Sequence, residues 1–337
     1  MSPHTSLVST QSKVFASWVT HWQAEVHRGA LDLVRRHARS PEQRAALERV
    51  VARLRLDSRD PRPPPTLHQL PLLVYAATGG DEARALPLAV AFALLGRGVD
   101  IQDDLADGDE PADGQRTTGA ILNQTAGELF AALPILALAE TDAPPAIVLA
   151  MQRTLARGFL EVSAGQRHDL GLAGAASITS EEVEACASAK AGAFIEIPTT
   201  LAAQLADLSP DMVAHYAAFG RALGIAVSLA EDCRDLFLAE ISRDLRSGIR
   251  SYPVASHLER LAEQERPAFL ELLERARHHD VAHAAVRQRL LASGTLLRCQ
   301  LAIAVNCEEA RAALDEAQPL EPARAALHTL IDSFLFK

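Results

Sequence analysis

Two acidic clusters constrain the fold of this chain most, because each ends a long apolar, alanine-rich stretch with the pattern of a buried helix. The first cluster lies at residues 100–107 and the second at residues 231–235. An unpaired carboxylate is costly to bury, so acidic side chains at the end of a buried helix need compensating positive charge. Mg²⁺ takes oxygen ligands and often binds one or two carboxylates together with substrate phosphates. The sequence therefore predicts core helices that carry metal-binding carboxylates.

The spacing inside each cluster fits this interpretation. Residues three and four apart share one face of a helix, so the four aspartates between residues 100 and 107 form one stripe. Asp103 and Asp107 are four residues apart, as are Glu231 and Asp235, which puts the Cβ atoms of each pair roughly 6 Å apart. A solvated acidic face explains either cluster alone equally well. Two clusters that each follow a buried helix favour metal binding.

Helical periodicity runs through most of the chain, and no stretch alternates with period two over the length of a strand. Apolar residues make up 48% of the chain and aromatic residues 4%, with Ala and Leu dominant, which is a helix-forming composition with enough apolar material for a core. We predict an all-α fold of about a dozen helices, with residues 1–12 disordered and 13–337 forming a single domain. The longest predicted helices cover residues 12–39, 82–107, 120–139, 145–170, 179–206 and 211–238.

Charge and cysteine content exclude several classes of protein. A net charge of −10 argues against a nucleic-acid partner. The N-terminus is polar and lacks the apolar segment of a signal peptide, and the longest apolar run, Leu86 to Leu95, is too short to span a bilayer. The four cysteines show neither C-x-x-C pairs nor zinc-type spacing. We expect reduced thiols, a cytoplasmic location and no stable membrane insertion.

Several segments resemble the motifs of the trans-prenyl diphosphate synthases and the related class I isoprenoid enzymes. Residues 103–107, D-D-L-A-D, match the first aspartate-rich motif of that family, D-D-x-x-D. Residues 224–235 resemble the second, G-x-x-x-Q-x-x-D-D-x-x-D, with Ser228 in place of Gln and Glu231 in place of the first Asp. Because Glu also offers oxygen ligands, this substitution is compatible with metal binding.

Three shorter segments resemble other motifs of the family in the same order. Residues 165–170, G-Q-R-H-D-L, resemble G-Q-x-x-D-L, and residues 190–194, K-A-G-A-F, resemble K-T-x-x-L. Residues 244–248, D-L-R-S-G, resemble D-L-x-x-G-K, but Ile249 stands where the family has Lys. Motifs in the right order over residues 70–254 make the resemblance much more specific than one D-D-x-x-D.

The resemblance implies an isoprenoid synthase fold, a helical bundle around a central cavity, and a homodimer. It also implies that an allylic prenyl diphosphate binds with three Mg²⁺ between the two clusters, where Asp103, Asp107 and Glu231 would act in catalysis. The residues implied in metal binding are Asp103, Asp104, Asp107, Glu231, Asp232 and Asp235. Those implied in binding the substrate diphosphate are Lys190, Gln166, Asp169 and Arg250.

Each of these diphosphate-binding assignments has an alternative. Lys190 is otherwise a surface lysine whose stem packs on apolar neighbours, and Gln166 is otherwise a helix cap. Arg250, next to the missing lysine, either replaces it or is a surface arginine. The pair His168-Asp169 is also found in metal phosphohydrolases, but the chain offers no companion His/Asp set.

The second substrate of chain-elongating members, isopentenyl diphosphate, needs basic residues that this chain lacks. Residues 65–71 replace the family's G-G-K-x-x-R-P segment without any Lys or Arg. Gln102 replaces the His before the first motif, and Ala112-Asp113 replace an Arg-Arg pair, leaving Arg116 as the basic residue of that loop. We therefore favour terpene cyclisation or transfer to a non-standard acceptor. The alternatives are chain elongation by a polyprenyl diphosphate synthase and a non-catalytic partner subunit of such a synthase.

One helix face before the first cluster is a candidate pocket for the prenyl chain. Phe92, Gly96 and Val99 share this face, and Phe92 lies eleven residues before Asp103, or about 16 Å along the helix axis. A pocket of that depth suits a substrate of fifteen or twenty carbons. Alternatively, Gly96 and Gly98 serve helix packing.

Overall fold

The structure is a computed structural model that describes residues 3–55, 67–107 and 119–335. Within these ranges, the side chains of residues 3–17, 55, 103, 104, 106 and 107 are not described. The carboxylates of Asp103, Asp104 and Asp107, the pair Ala112-Asp113 and Arg116 therefore lie outside the described parts, as does the whole segment 56–66.

Helices account for all the regular secondary structure of the described residues, which confirms the all-α prediction. The first eight are α1 Pro3–His37, α2 Pro41–Ala52, α3 Leu70–Ala77, α4 Leu86–Asp107, α5 Gly119–Gly127, α6 Leu133–Ala139, α7 Pro145–Leu172 and α8 Ser180–Ala187. The others are α9 Ala193–Leu205, α10 Pro210–Phe237, α11 Arg243–Ser247, α12 Tyr252–Leu258, α13 Arg266–Ala276, α14 Asp280–Ala292, α15 Thr295–Glu316 and α16 Ala323–Phe334. Two π-helical segments, Glu128–Ala132 and Ser188–Gly192, join α5 to α6 and α8 to α9.

These bounds refine the predicted helices. The predicted helix 145–170 corresponds to α7 and 211–238 to α10. The predicted helices 120–139 and 179–206 are each divided by a π segment. Pro198 does not end the second of them, because α9 continues through it. α8 begins where the sequence indicated, because Thr179 and Glu182 form a capping box that satisfies backbone amides at the helix start.

The N-terminal residues differ from the prediction. Residues 3–12, which we expected to be disordered, belong to α1. The chain from residue 4 to residue 28 contains no Pro or Gly, and Pro3 occupies a helix start, where proline is tolerated. Nothing in this segment therefore breaks the helix.

The described chain divides into two compact units, and the single domain expected for 13–337 stays a prediction. The first unit comprises Met1–Thr154, Pro198–Val213 and Pro319–Leu330, and the second comprises Leu155–Ile197, Ala214–Gln318 and Ile331–Lys337. Each unit is thus assembled from separated stretches of the chain.

Helix α4 forms the centre of the first unit and contacts α1, α3, α5 and α6. Residues 88–95 are at most 4% exposed, as expected for a helix that is apolar on every side. Close packing requires small residues, since a Cβ on Gly29 would lie 2.8 Å from Val90 and one on Gly98 would lie 2.9 Å from the ring of Phe130. α4 becomes solvent-exposed at Asp100, at the start of the first acidic cluster.

Helix α10 forms much of the core of the second unit. Its buried face includes Tyr216, Phe219, Leu223, Leu229 and Cys233. The four cysteines are all buried free thiols, in agreement with the expected reduced state.

By length and composition alone, three helical stretches of the described residues could cross a membrane: Glu82–Gln102, Gly119–Ala139 and Pro210–Phe237. Our estimate from the longest apolar run overlooked them because glycine and isolated polar residues interrupt the run without lowering the mean hydropathy much. In the first stretch, 67% of the most apolar window is buried within the protein.

Candidate functional site

The second unit brings together an ion pair from two of the motifs. The ammonium Nζ of Lys190 lies 3.3 Å from Oδ2 of Asp169. Lys190 comes from the π segment Ser188–Gly192 and Asp169 from α7. The two side chains are 28% and 31% exposed, so both can reach a ligand from solvent.

Close backbone contacts fix the segment that carries Lys190. A Cβ on Gly165 would lie 2.7 Å from the amide nitrogen of Lys190, and one on Gly224 would overlap the carbonyl group of Ala191. Gly165 is the first residue of the G-Q-x-x-D-L-like segment and Gly224 the first of the second aspartate-rich motif. The glycines of both motifs therefore let α7 and α10 approach the backbone on either side of Lys190.

The carboxylates of the second cluster hold the start of the helices that follow. Asp235 accepts hydrogen bonds from the hydroxyl of Ser242, from the backbone N–H of Arg243 at 3.0 Å and from the N–H of Asp244 at 3.2 Å. Asp232 accepts one from the N–H of Tyr252 at 2.8 Å. The three bonds from backbone N–H groups satisfy amides that have no partner within their own helix.

Glu231 is different, because it points to solvent. Its side chain is 64% exposed, and its carboxylate pairs with Arg234 one turn later at 2.5 Å. A surface pair of this kind contributes little stability. Of the three acidic residues in this cluster, Glu231 is therefore the one whose carboxylate is not committed to the fold.

Negative charge is concentrated around Asp244. Burial and the nearby carboxylates of Asp235 and Asp169 raise the pKa of Asp244 to about 7. Burial and Asp244 also raise the pKa of Asp232, although the bond from the N–H of Tyr252 opposes this change. The cluster thus holds more carboxylates than the nearby positive charge of Lys190 and Arg243 can compensate.

This arrangement fits Mg²⁺. The available ligands are hard oxygen donors, and a divalent cation would offset the burial and the carboxylate repulsion that together raise the pKa of Asp244. In addition, Oε1 of Gln166, one turn before Asp169, is buried without a hydrogen-bond partner. Among the side chains that the structure describes, no three His, Cys, Asp or Glu converge closely enough to enclose a metal ion by themselves.

The first cluster lies in the other unit, at the end of α4. Asp103, Asp104 and Asp107 occupy the last turns of this helix, as the sequence indicated, and their carboxylates are outside the described side chains. Asp100 in the same cluster pairs with Arg97 at 3.1 Å and is 54% exposed. Joint metal binding by the two clusters stays a prediction.

The segment that replaces the family's basic G-G-K-x-x-R-P is apolar. Leu70 stands at the Arg position and is 1% exposed, and Leu67 stands at the Lys position and is half-buried. Between them, the ring of His68 packs edge-on against Phe92, and Gln69 donates to the carbonyl oxygen of Val19 at 2.5 Å. Residues 67–70 therefore pack into the core of the first unit.

Arg250 is not the surface arginine that we considered. It is 8% exposed and donates to the carbonyl oxygens of Ala175 at 3.1 Å and Gly248 at 3.5 Å. Burial lowers the pKa of its guanidinium. Arg250 follows Gly248, whose backbone is in the left-handed conformation that ends α11. Its hydrogen bonds therefore stabilise the turn between α11 and α12. A role in binding diphosphate stays a prediction, and these contacts weigh against it.

The residues of the candidate chain pocket all lie on α4. Phe92 and Gly96 are buried and Val99 is half-buried. Gly98, in contrast, packs against Phe130, so this glycine serves helix packing as the alternative interpretation held.

Sequence reasoning passed over Asp244 as a site residue. The feature that could have indicated Asp244 is the D-L-x-x-G-K-like segment, of which it is the first residue. Asp244 lies beside Asp235 because Asp235 binds its backbone N–H.

A separate cavity of about 600 Å³ opens elsewhere on the second unit. α8, α12 and α15 provide its walls, with Glu184, Tyr252, Arg298 and Val305 among the lining residues. Lys190, Asp169 and the second acidic cluster do not line it.

Known proteins resemble this chain in sequence and in fold. The family model described as polyprenyl synthetase matches residues 68–289. A short chain isoprenyl diphosphate synthase of Methanothermobacter thermautotrophicus is 25% identical over 279 residues, which cover 79% of this chain and 84% of that protein.

Two solved structures share the fold. A geranylgeranyl pyrophosphate synthetase from Pyrococcus horikoshii superposes with a TM-score of 0.82 and 21% identity, over 97% of this chain and 99% of that chain. A polyprenyl synthase from Caulobacter crescentus, complexed with calcium and isoprenyl diphosphate, gives a TM-score of 0.80 and 19% identity over 97% of this chain and 98% of that chain.

Proposed function

This chain belongs to the polyprenyl synthetase family, and from that premise we propose that it is a magnesium-dependent prenyltransferase acting on an allylic prenyl diphosphate. The observation that carries the proposal is the Lys190–Asp169 ion pair next to the carboxylates of Asp235 and Asp244. Four separated stretches of chain contribute these residues, each at a position of a family motif. The arrangement suits a metal-bound diphosphate.

The chain's own residues would bind and orient the leaving diphosphate. The ammonium of Lys190 would pair with a diphosphate oxygen, and Asp169 would hold the lysine in place. Asp103 and Asp107 would hold two metal ions, and Glu231 with Asp235 a third. The orphaned Oε1 of Gln166 would accept a hydrogen bond from water in the site. When bound, Mg²⁺ supplies positive charge where negative charge develops on the leaving group.

We propose that this enzyme catalyses chain elongation. In this reaction isopentenyl diphosphate extends an allylic diphosphate of fifteen or twenty carbons. The related protein of Methanothermobacter thermautotrophicus is named as a short chain isoprenyl diphosphate synthase. This likeness supports elongation over the terpene cyclisation that we favoured from the missing basic residues.

A second candidate function is cyclisation, or transfer to another acceptor, without isopentenyl diphosphate. The buried Leu70 and the half-buried Leu67 favour it, because neither can bind a metal-free diphosphate. Each charge-assisted bond to a phosphate is worth about 1.5–3 kcal/mol. Chain elongation would thus need other basic residues for the second substrate.

One assay separates these functions. The purified protein is incubated with Mg²⁺ and geranyl, farnesyl or geranylgeranyl diphosphate, with and without isopentenyl diphosphate. Longer diphosphates that form only with isopentenyl diphosphate support elongation, and hydrocarbon or alcohol release without it supports the second candidate. No diphosphate release under any condition would falsify both and favour a non-catalytic partner subunit. Asp103→Asn serves as the inactive control and Asp100→Asn as its matched control on the same helix.

We also propose, by analogy with the family, that the protein is a homodimer. From its charge, cysteines and apolar runs we propose that it acts in the cytoplasm without stable membrane insertion and without a nucleic-acid partner. Sedimentation of the purified protein tests the dimer, because two copies of a 36.2 kDa chain would weigh twice that mass.

A further inference from the structure

Lys190 comes from a backbone segment of unusual geometry. In a π helix each carbonyl bonds an amide five residues on, and such segments are rare and frequent at functional sites. Here the carbonyl oxygen of Ser188 accepts from the N–H of Ala193, at the end of the segment Ser188–Gly192. A segment of this kind needs support from outside, because its hydrogen bonds are less regular than those of an α helix.

Arg221 provides a contact of this kind. Its Nη1 lies 3.3 Å from the carbonyl oxygen of Ser188 and 3.5 Å from the hydroxyl oxygen of the same residue. The stem of Arg221 also packs against Gly192, since a Cβ on this glycine would lie 3.2 Å from Cγ of the arginine. One side chain thus touches both ends of the segment that presents Lys190.

Two carboxylates hold the guanidinium in this position. Nε of Arg221 donates to Glu196 on α9 at 2.6 Å, and Nη1 donates to Glu161 on α7 at 2.8 Å. Burial disfavours the charged guanidinium, but the bonds to Glu161 and Glu196 outweigh this effect and raise its pKa. Arg221, which lies on α10, therefore connects α7, α9 and the π segment with one fixed, permanently charged group.

We propose that Arg221 is a positioning residue, which fixes the π segment Ser188–Gly192 so that the ammonium of Lys190 stays where it binds diphosphate. The proposal rests on the proposed function, because it takes Lys190 as a diphosphate ligand. Arg221 acts through Lys190 and does not itself touch the substrate. Lysine at this position would keep the charge but could not bind Glu161, Glu196 and Ser188 together.

Binding of inorganic pyrophosphate in the presence of Mg²⁺, measured by calorimetry, tests this proposal without turnover. Four proteins are compared: the wild type, Arg221→Met, Lys190→Met and the double variant. We expect Arg221→Met to weaken binding about tenfold in the wild type and to have little effect in Lys190→Met, because a positioning residue acts only through the group that it positions. Arg221→Lys should remain weakened, since charge alone does not restore the three contacts.

Arg311→Met is the matched control. Arg311 also bridges two carboxylates, those of Glu308 and Asp332, but it does not contact the π segment. This variant should lose similar stability and keep its pyrophosphate affinity. Hydrogen exchange adds a readout that needs no ligand: the amides of residues 189–193 should exchange faster in Arg221→Met and unchanged in Arg311→Met.

The outcomes separate the positioning role of Arg221 from the proposed function of the protein. If the wild type binds pyrophosphate and Lys190→Met weakens it, but Arg221→Met changes neither affinity nor exchange, the positioning role is wrong. An equal loss in the wild-type and Lys190→Met backgrounds also overturns it. If the wild type binds no pyrophosphate, the proposed function fails, whereas the exchange data still show whether Arg221 fixes the segment.

Discussion

Two carboxylates of the second cluster stabilise the fold, in addition to the metal binding that we propose for this cluster. Asp235 accepts hydrogen bonds from two backbone amides and a hydroxyl at the start of α11, and Asp232 accepts one at the start of α12. Charge repulsion alone would predict that removing one of several neighbouring carboxylates leaves the fold stable. Removal of Asp232 or Asp235 should nevertheless destabilise it, because each accepts from backbone amides that would otherwise lack a partner.

Asp235→Ala should therefore lower the free energy of unfolding by about 1–2 kcal/mol, as for the loss of a helix cap. Urea unfolding of the metal-free protein measures this change. Glu231→Ala is the matched control, since the exposed carboxylate of Glu231 pairs with Arg234 at the surface and its removal should cost little stability. Equal stability of the two variants would contradict the structural task of Asp235.

The raised pKa of Asp244 predicts a pH dependence of stability. Its pKa is about 7 in the folded protein and about 3.9 in an unfolded chain, so between these values the folded state binds more protons. The free energy of unfolding should then fall as the pH rises from about 4 to 7 and stay lower above 7.

Asp244→Asn removes this contribution. The variant should gain stability over the wild type progressively across the same pH window, by an amount on the order of 1–2 kcal/mol at pH 8, because the side chain is only partly buried. Chemical unfolding at a series of pH values in the absence of metal measures the difference. A difference that does not change with pH would show that the carboxyl group has an ordinary pKa.

At the scale of elements, glycines determine how closely α7 and α10 approach the segment of Lys190. The sequence pattern marked Gly165 and Gly224 as parts of motifs but gave no reason for them. The structure supplies the reason, because any side chain at either position would overlap the backbone of residues 189–191.

Gly224→Ala should destabilise the protein by about 1–3 kcal/mol and weaken pyrophosphate binding, because the added methyl group pushes the π segment away from α10. Thermal unfolding and calorimetry measure the two effects. Gly171→Ala is the matched control on α7, since a Cβ there meets nothing within 4 Å. Unchanged affinity in Gly224→Ala would separate the packing of these elements from the placement of Lys190.

The candidate chain pocket belongs to α4. Gly96→Phe should shorten the prenyl chain that the enzyme accepts, because a large side chain would fill the face shared by Phe92 and Val99. Gly96→Ala should have a smaller effect in the same direction. Product lengths measured by chromatography decide the matter, and the same chain preference in both variants would exclude this face as the pocket.

At the scale of the whole molecule, the helical periodicity was sufficient to predict an all-α fold and the approximate course of α7 and α10. It could not predict the two π segments, because each is a single irregular turn, too short to be recognised from the apolar periodicity of the long helices around it. The motifs did indicate that Lys190 and Asp169 belong to one site, because the resemblance implied both of them in diphosphate binding. The contacts of Arg221 and the buried bonds of Arg250 were not, because they depend on residues far apart in sequence.

Ligand binding should stabilise the whole protein. Mg²⁺ and pyrophosphate together, at about one hundred times the dissociation constant, should add roughly 2.7 kcal/mol to the free energy of unfolding. Thermal unfolding with both ligands should therefore occur several degrees higher, and a chelator should abolish the increase. An increase that persists in the chelator would indicate that pyrophosphate binds without metal.

The helix-capping bonds of Asp232 and Asp235 also bear on how genes of this kind diverge. A duplicated copy released from selection for catalysis would still have to keep these two acidic residues for as long as its product had to fold. Their presence in a sequence would then attest to an intact fold and not to chemical competence. A deep mutational scan read out by abundance alone should accordingly show both positions as intolerant, whereas Glu231 should accept most replacements.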